Sequence, residues 1–284
     1  MISKLSKFTI TVATLIILLV VLTGCDSDKK EEKNSTSTNN TTISNTTSNN
    51  NTMVGAKPDM ISNEISNTTI KNETKKERIV DTIDYKSAAN KQMSKPEKGE
   101  TIAIFHIKNF GDVKVKFFEE VAPKAVENFV THAKNGYYDG LTFHRVINEF
   151  MIQGGDPEGT GRGGESIWGK GFGVELAYDL VPYRGSLCMA MSSLPNSIGS
   201  QFFITQAHYN ETMEKYLTQG GYPEKLIEEY REYGGYLSLY LHYTVFGQVF
   251  EGIEVIDKVA AVEKDASDKP LEDVIIESIE VTTY

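Results

Sequence analysis

Cysteine is scarce in this chain of 284 residues. Only Cys25 and Cys188 are present, and tryptophan occurs once, at Trp168. Two cysteines cannot staple a disulfide scaffold, and no pair has zinc-finger spacing. Basic excess is missing from the larger part of the chain. Residues 1–96 carry 13 Lys and Arg against 10 Asp and Glu, whereas residues 97–284 carry 16 against 29, a net charge of −13. Gripping a phosphate backbone takes clustered lysines and arginines, so no nucleic-acid partner is expected. There is no Gly-x-x-x-x-Gly-Lys-Ser/Thr phosphate loop and no Gly-x-Ser-x-Gly nucleophile elbow. The five histidines (His106, His132, His144, His208, His242) lack metal-ligand spacing, and no metal is expected. Gly159-Thr160-Gly161-Arg162-Gly163-Gly164 matches a dinucleotide fingerprint, but the residues after it are too glycine-rich to open the helix that such a site needs. The nine glycines from Gly154 to Gly173 describe a loop of tight turns instead.

The amino terminus has the form of an address. Lys4 and Lys7 precede an uncharged apolar run, Phe8 to Leu22, which is shorter than the roughly 20 residues of a membrane span. The run ends in Leu22-Thr23-Gly24-Cys25, which resembles the bacterial lipobox. On that resemblance residues 1–24 are a lipoprotein signal peptide. Cys25 becomes the lipidated first residue, and the mature chain is tethered to the cell membrane on its extracytoplasmic face. From Asn34 to Thr52 every residue except Ile43 is Asn, Ser or Thr. Such a stretch cannot bury enough apolar area to offset the entropy of ordering it, so residues 25–96 read as a disordered tether. Within them, Ile79–Ala89 is the one segment with the apolar residues for a short helix or docking strand.

The folded domain is expected over residues 97–284. Thr101–Ile107 and Asp112–Phe118 are β-rich runs joined by a turn-like Lys108-Asn109-Phe110-Gly111, which predicts a hairpin. Pro123 opens a helix in which Val126, Phe129, Val130 and Ala133 share a face, closed by Asn135-Gly136. Short apolar runs follow at Thr142–Val146, Phe150–Gln153, Leu187–Met191, Gln201–Thr205, Thr244–Phe250 and Val274–Val281, with a second amphipathic helix near Ile253–Val262. Many short strands and few helices predict a closed barrel or sandwich. The Tyr- and Glu-rich stretch from Tyr209 to Tyr236, helical over Lys225–Tyr233, reads as a surface insertion.

What remains is a constellation without a nucleophile. Cys188 lies in an apolar run and reads as a small buried residue. Arg145 sits beside Phe150 and Met151 in the dense segment Phe143–Asp156, where it is equally compatible with an ion pair and with a binding role. That segment, together with Gly199-Ser200-Gln201-Phe202-Phe203-Ile204-Thr205 and Tyr243-Thr244-Val245-Phe246-Gly247-Gln248-Val249, resembles the signature blocks of the cyclophilins over about Thr101–Thr282.

The resemblance implies a mainly β fold, a closed eight-stranded antiparallel barrel capped by two α-helices, here with a helical insertion. It implies peptidyl-prolyl cis-trans isomerase activity without cofactor or metal, on proline-containing polypeptide clients, by a chain expected to be monomeric. Arg145 matches the catalytic arginine, with Phe150 and Gln153 beside it. Met151, Gln201 and Phe203 match substrate-contacting positions, Gly161, Ala190 and Met191 a groove wall, and Leu239 and Tyr243 the last side of the pocket. One departure stands out: Ser238-Leu239-Tyr240-Leu241-His242-Tyr243 replaces the family's Trp-Leu-Asp-Gly-Lys-His run, so Ser238 stands where a tryptophan is common. A lipid-anchored foldase for secreted proteins is therefore expected; the alternative is a non-catalytic proline-peptide or client-binding module on the membrane surface.

Overall fold

A computed structural model describes residues 78–284. The signal peptide, Cys25 and the Asn/Ser/Thr-rich stretch lie outside the described residues. The described part is mainly β, with eight strands and five α-helices. The strands are β1 (Thr101–Ile107), β2 (Gly111–Phe117), β3 (Arg145–Ile147), β4 (Met151–Gly154), β5 (Ser186–Met189), β6 (Phe202–Thr205), β7 (Val245–Glu251) and β8 (Ile276–Thr283). All pairings are antiparallel, in the order β3-β4-β6-β5-β7-β2-β1-β8.

The expected closed barrel is not formed. The sheet curls into a half-barrel whose edge strands, β3 and β8, share no ladder. Their flanking segments meet instead at an isolated Thr142–Ile275 bridge, where the Phe143 N–H donates to Val274 O (2.9 Å) and the Ile276 N–H to Leu141 O (2.8 Å). The physical reason is length: β3 has three residues. Its outer edge is moreover already taken, since the Val146 N–H donates to Asp268 O (2.8 Å) and Val146 O accepts from Lys264 Nζ (3.1 Å).

Inside the curl, alternate residues of the strands meet two helices. The first is Pro123–Lys134 and the second Ile253–Ala260, both at the expected places. Proline suits the opening of the first, where a missing N–H costs nothing. The Glu175 carboxylate accepts the Lys124 and Ala125 N–H groups (3.1 and 2.9 Å), satisfying donors that the helix start leaves free. Phe129 on that helix stands among Tyr138, Phe202 and Phe246, with ring centroids at 5.1, 5.4 and 5.4 Å. Each such aromatic pair adds about 0.5–1.5 kcal/mol beyond its area burial.

The packed chain begins before Glu97, which corrects the expected tether boundary at residue 96. A single 3₁₀ turn, Ile79–Thr82, leads into a helix, α1, over Tyr85–Met93. The Asp84 carboxylate caps it by accepting the Ser87 N–H at 3.2 Å. Tyr85 and Ala89, one helical turn apart, are fully buried in a second apolar cluster with Val181, Tyr183, Leu226, Tyr230, Leu237 and Tyr240. The insertion supplies much of that cluster and holds two helices rather than one, Glu211–Gln219 and Glu224–Tyr233. Gln92 fixes α1 to the sheet. Its Nε2 donates to Val181 O (2.7 Å), with Ser186 Oγ and Gln248 Oε1 at 3.1 Å, while its Oε1 accepts the Val181 N–H (3.1 Å). The Lys116 Nζ, largely buried, donates to Lys91 O (2.8 Å) and Ser94 Oγ (3.1 Å), placing a cation at the carboxyl end of α1.

A buried donor or acceptor left without a partner costs about 1–3 kcal/mol. Gln92→Ala removes partners from several such groups and is expected to destabilise the full chain by at least that amount, read as a lower urea midpoint with unchanged slope. An unchanged midpoint would show that α1 is not integral to the fold.

Candidate active site

Because side chains alternate across a strand, each strand of the sheet feeds two faces. On the inner face Val146 pairs with Ile152, Ile152 with Ile204, Ile204 with Leu187 and Leu187 with Gly247. On the other face Arg145 pairs with Gln153, Gln153 with Phe203, Phe203 with Cys188 and Cys188 with Val245. The register thus lines up five strands so that one arginine, one amide and a set of apolar groups form a continuous outward row.

Met151 and Phe203 are the buried floor of this face (2% and 5% exposed), in one apolar cluster with Leu180, Cys188, Leu239 and Val245. Phe150, Ala190 and Tyr243 pack against it, partly exposed. The Tyr243 ring stands edge-on to Phe203, centroids 5.4 Å apart. His242, one residue earlier, is exposed. Met191 turns the other way and packs against the inner core, so it and Ala190 do not share a wall. Gln153 Nε2 donates to Gln201 Oε1 (2.9 Å), and Gln201 Nε2 to Gly163 O (2.8 Å), joining β4 to the glycine loop. Cys188 is fully buried, and burial pushes its thiol well above the usual range. It packs as a small apolar group.

Arg145 keeps 42% of its side chain exposed, at the mouth of this face. Its guanidinium has a carboxylate neighbour, Asp268, at 3.6 Å. That distance is longer than a hydrogen bond, so the carboxylate orients the charge without consuming an N–H donor. Lys264 Nζ, at 2.6 Å, shares Asp268.

Residues without an assignment from sequence do much of the positioning. Asp156 is buried, and its carboxylate accepts the N–H groups of Glu158 (2.8 Å), Thr160 (3.0 Å), Gly161 (2.6 Å) and Arg162 (3.1 Å). Burial alone would raise this carboxyl, but the converging N–H donors outweigh it and hold it below the ordinary carboxylate range. Gly161 (φ +80) is exposed on the loop so formed, and a Cβ there would lie 3.7 Å from the ring of His144. Burial lowers the His144 pKa, keeping the imidazole neutral beside Arg145.

The Phe150 backbone is held just as firmly. Glu149 before it adopts a left-handed conformation (φ 58), which costs a residue with a Cβ about 1–2 kcal/mol. Gln206 offsets that strain: its Oε1 accepts the Glu149 N–H (2.7 Å), and its own N–H donates to Phe150 O (2.8 Å). Asp257 holds the Gln206 amide at 2.9 Å and is itself gripped by Arg184. The glycines on either side of Asp156 mark a loop of tight turns in the sequence, but they assign no role to Asp156 itself. Nothing in the spacing pointed to Gln206, Asp268 or Tyr236, whose ring lies 4.3 Å from that of Phe150.

Comparison with known proteins shows the family of the chain. The family model of cyclophilin type peptidyl-prolyl cis-trans isomerases matches residues 102–281. A Staphylococcus aureus (strain COL) protein named "Putative peptidyl-prolyl cis-trans isomerase" is 50% identical over 186 residues, 65% of this chain and 93% of that protein. A Staphylococcus epidermidis protein (strain ATCC 12228 / FDA PCI 1200) of the same name is 49% identical over 191 residues, covering 67% and 96%. Among solved structures, the cyclophilin type peptidyl-prolyl cis-trans isomerase of Cryptosporidium parvum, crystallised in the presence of the dipeptide Ala-Pro, is 34% identical with a TM-score of 0.53. That match covers 64% of this chain and 99% of the Cryptosporidium chain. On the sheet order, the outward row and the match through residues 102–281, the chain belongs to the cyclophilin-type peptidyl-prolyl cis-trans isomerase family.

Proposed function

We propose that Arg145 catalyses prolyl isomerisation on peptides whose proline ring rests on Phe150, Met151 and Phe203. The observation that carries this reading is the cross-strand row Arg145–Gln153–Phe203, which sets a guanidinium beside a buried apolar floor on one face. Rotation about a peptide C–N bond faces a resonance barrier of about 18–20 kcal/mol. An N–H of Arg145 donating to the prolyl nitrogen favours a pyramidal nitrogen, the state in which conjugation is lost. A hydrogen bond to a charged group contributes about 1.5–3 kcal/mol, and each ~1.4 kcal/mol is tenfold in rate. That contact therefore supplies about 10–100-fold. The apolar floor holds the ring while the acyl side turns, and the Gln153–Gln201 pair offers amide groups to the substrate backbone. The Ala-Pro dipeptide named with the Cryptosporidium structure supports proline-containing peptides as the substrate class. No covalent intermediate, metal or cofactor enters these steps.

The site of action follows from the amino terminus. Residues 1–24 direct export, Cys25 carries the lipid, and the chain works as a membrane-tethered monomer outside the cytoplasm on secreted, proline-containing clients. The support is the basic start, the apolar run Phe8–Leu22 and the Leu22-Thr23-Gly24-Cys25 ending. A single acyl chain holds only marginally, whereas the diacylglycerol that such a cysteine receives suffices.

Two outcomes are expected. Arg145→Ala lowers isomerisation of an Xaa-Pro peptide at least tenfold while leaving the free energy of urea unfolding within about 0.5 kcal/mol of the unmodified chain, the range usual for surface changes; equal turnover would remove Arg145 from the mechanism. Cys25→Ala abolishes incorporation of labelled palmitate in the producing cell and leaves the longer precursor on a gel. Undiminished labelling of that variant would sink the lipid-anchor reading.

A further inference from the structure

The insertion does more than decorate the surface. After its second helix the chain turns back through Gly234 and Gly235, both in the left-handed region (φ 65 and 106). A Cβ on Gly235 would lie 2.3 Å from Pro182 O and 2.5 Å from Tyr183 Cα, and one on Gly234 would lie 2.9 Å from Ala207 O. Only glycine permits this path on both counts. The next residue is then pinned on both sides: the Tyr236 N–H donates to Pro182 O (3.0 Å), and Tyr236 O accepts the Leu239 N–H (3.0 Å).

From this position the two sides of the turn part company. Leu237 and Tyr240 enter the second cluster, where the Tyr240 hydroxyl donates to Tyr178 O (2.6 Å) and lies 3.2 Å from the Tyr85 hydroxyl of α1. Tyr236 and Leu239 go to the catalytic face. The Tyr236 ring reaches Phe150 with centroids 4.3 Å apart and planes at 46°, and it stays partly exposed. Ser238, between them in sequence, carries only a hydroxymethyl group and offers no comparable apolar surface.

We propose that Tyr236 is a substrate-binding residue that extends the proline pocket and selects peptides bearing a large apolar side chain directly after the proline. The inference rests on the reading of Phe150, Met151 and Phe203 as the floor for the ring. Two rings tilted at 46° to one another make a corner, and the exposed part of Tyr236 is its outer wall. Rotation about the Xaa–Pro bond turns the acyl side relative to the ring. An apolar contact that lasts through both isomers must therefore be made with the chain following the ring. A wall beyond Phe150 has that segment to hold, and an aromatic or leucine side chain there covers the exposed ring face that glycine leaves wet.

Size discrimination in an apolar site runs from about tenfold upward per group, and a partly open wall belongs at the lower end. The test compares two peptides identical except for Phe or Gly directly after the proline, with catalysed exchange followed by two-dimensional NMR, which demands no particular residue at that position. The unmodified full chain is expected to favour the Phe peptide about tenfold. Tyr236→Ala should bring the ratio to within twofold of unity. Tyr236→Phe, which keeps the ring, should preserve it. A ratio near one for the unmodified chain, a ratio unaltered by Tyr236→Ala, or its loss in Tyr236→Phe would each overturn the assignment. Turnover of neither peptide by the unmodified chain would instead overturn the isomerase reading, and this inference with it.

Discussion

Everything at the site depends on two adjacent phenylalanines pointing in opposite directions. Phe202 turns inward to Phe129, Phe105 and Tyr138, while Phe203 turns outward to the floor beside Arg145. A strand has a side-chain period of two, so a slip of one residue in the β6 register would exchange the two rings and empty both clusters at once. The core therefore enforces the site. The hydrophobic free energy that seats Phe202 also fixes the row in which Arg145, Gln153 and Phe203 stand abreast. Neither requires the barrel to close. The bridge at Thr142–Ile275 and its neighbouring bonds hold the edges near enough to bury the interior, and β3 is left free to present its arginine at the rim.

Polar groups complete this arrangement where apolar packing cannot. Asp156 gathers four backbone N–H groups of the glycine loop, Gln206 ties down the strained Glu149–Phe150 step, and Gln92 satisfies buried groups of the sheet and of the Val181 backbone. Each is a case in which a fully satisfied buried network specifies one conformation, because the same groups left half-paired would cost more than an apolar replacement. Two of them share a further property. Asp156 acts within its own loop, but Gln206 and Gln92 reach across long stretches of chain and so couple elements that local propensity cannot relate.

That property explains what could be read from the sequence. Strands were legible because alternation is local: β1 falls where its TIAIFHI run predicts, and β2, β6 and β7 lie within a residue of theirs. The two helices on the core were legible from their apolar spacing and from Pro123. The α1 helix was legible only in part: Ile79–Ala89 stood out as a segment for a helix or docking strand, but the helix runs over Tyr85–Met93 and is fixed by Gln92, whose partners no local pattern shows. The open edge was not legible, since β3 is only three residues long and its outer edge is taken by Lys264 and Asp268, which lie far along the chain. At the site, the residues within the three motif blocks come together, whereas Met191 does not join them and Tyr236 does. The motifs mark what the common chemistry requires. Tyr236 reaches the face through a double-glycine turn whose geometry appears only after Pro182 and Ala207 have been placed beside it.

The electrostatics of the rim complete the physical account. The domain beyond residue 96 carries a net charge of −13, yet the group at the mouth of the apolar face is a cation. A lone guanidinium pressed into that floor would lose hydration, and a carboxylate in tight contact would occupy the donors that chemistry needs. Asp268 meets neither extreme. It stands 3.6 Å from Arg145 and is held at 2.6 Å by Lys264, whose Nζ also donates to Val146 O at 3.1 Å on the same strand as Arg145. The carboxylate is thus anchored to β3 by a second cation, and its field steadies the guanidinium while leaving its N–H donors unoccupied by that carboxylate. His144, kept neutral by burial on the other side, adds no competing charge. A cationic donor beside a buried apolar floor suits the proposed rotation about an amide, because the bond's resistance is resonance and a hydrogen bond to the nitrogen draws its lone pair out of conjugation.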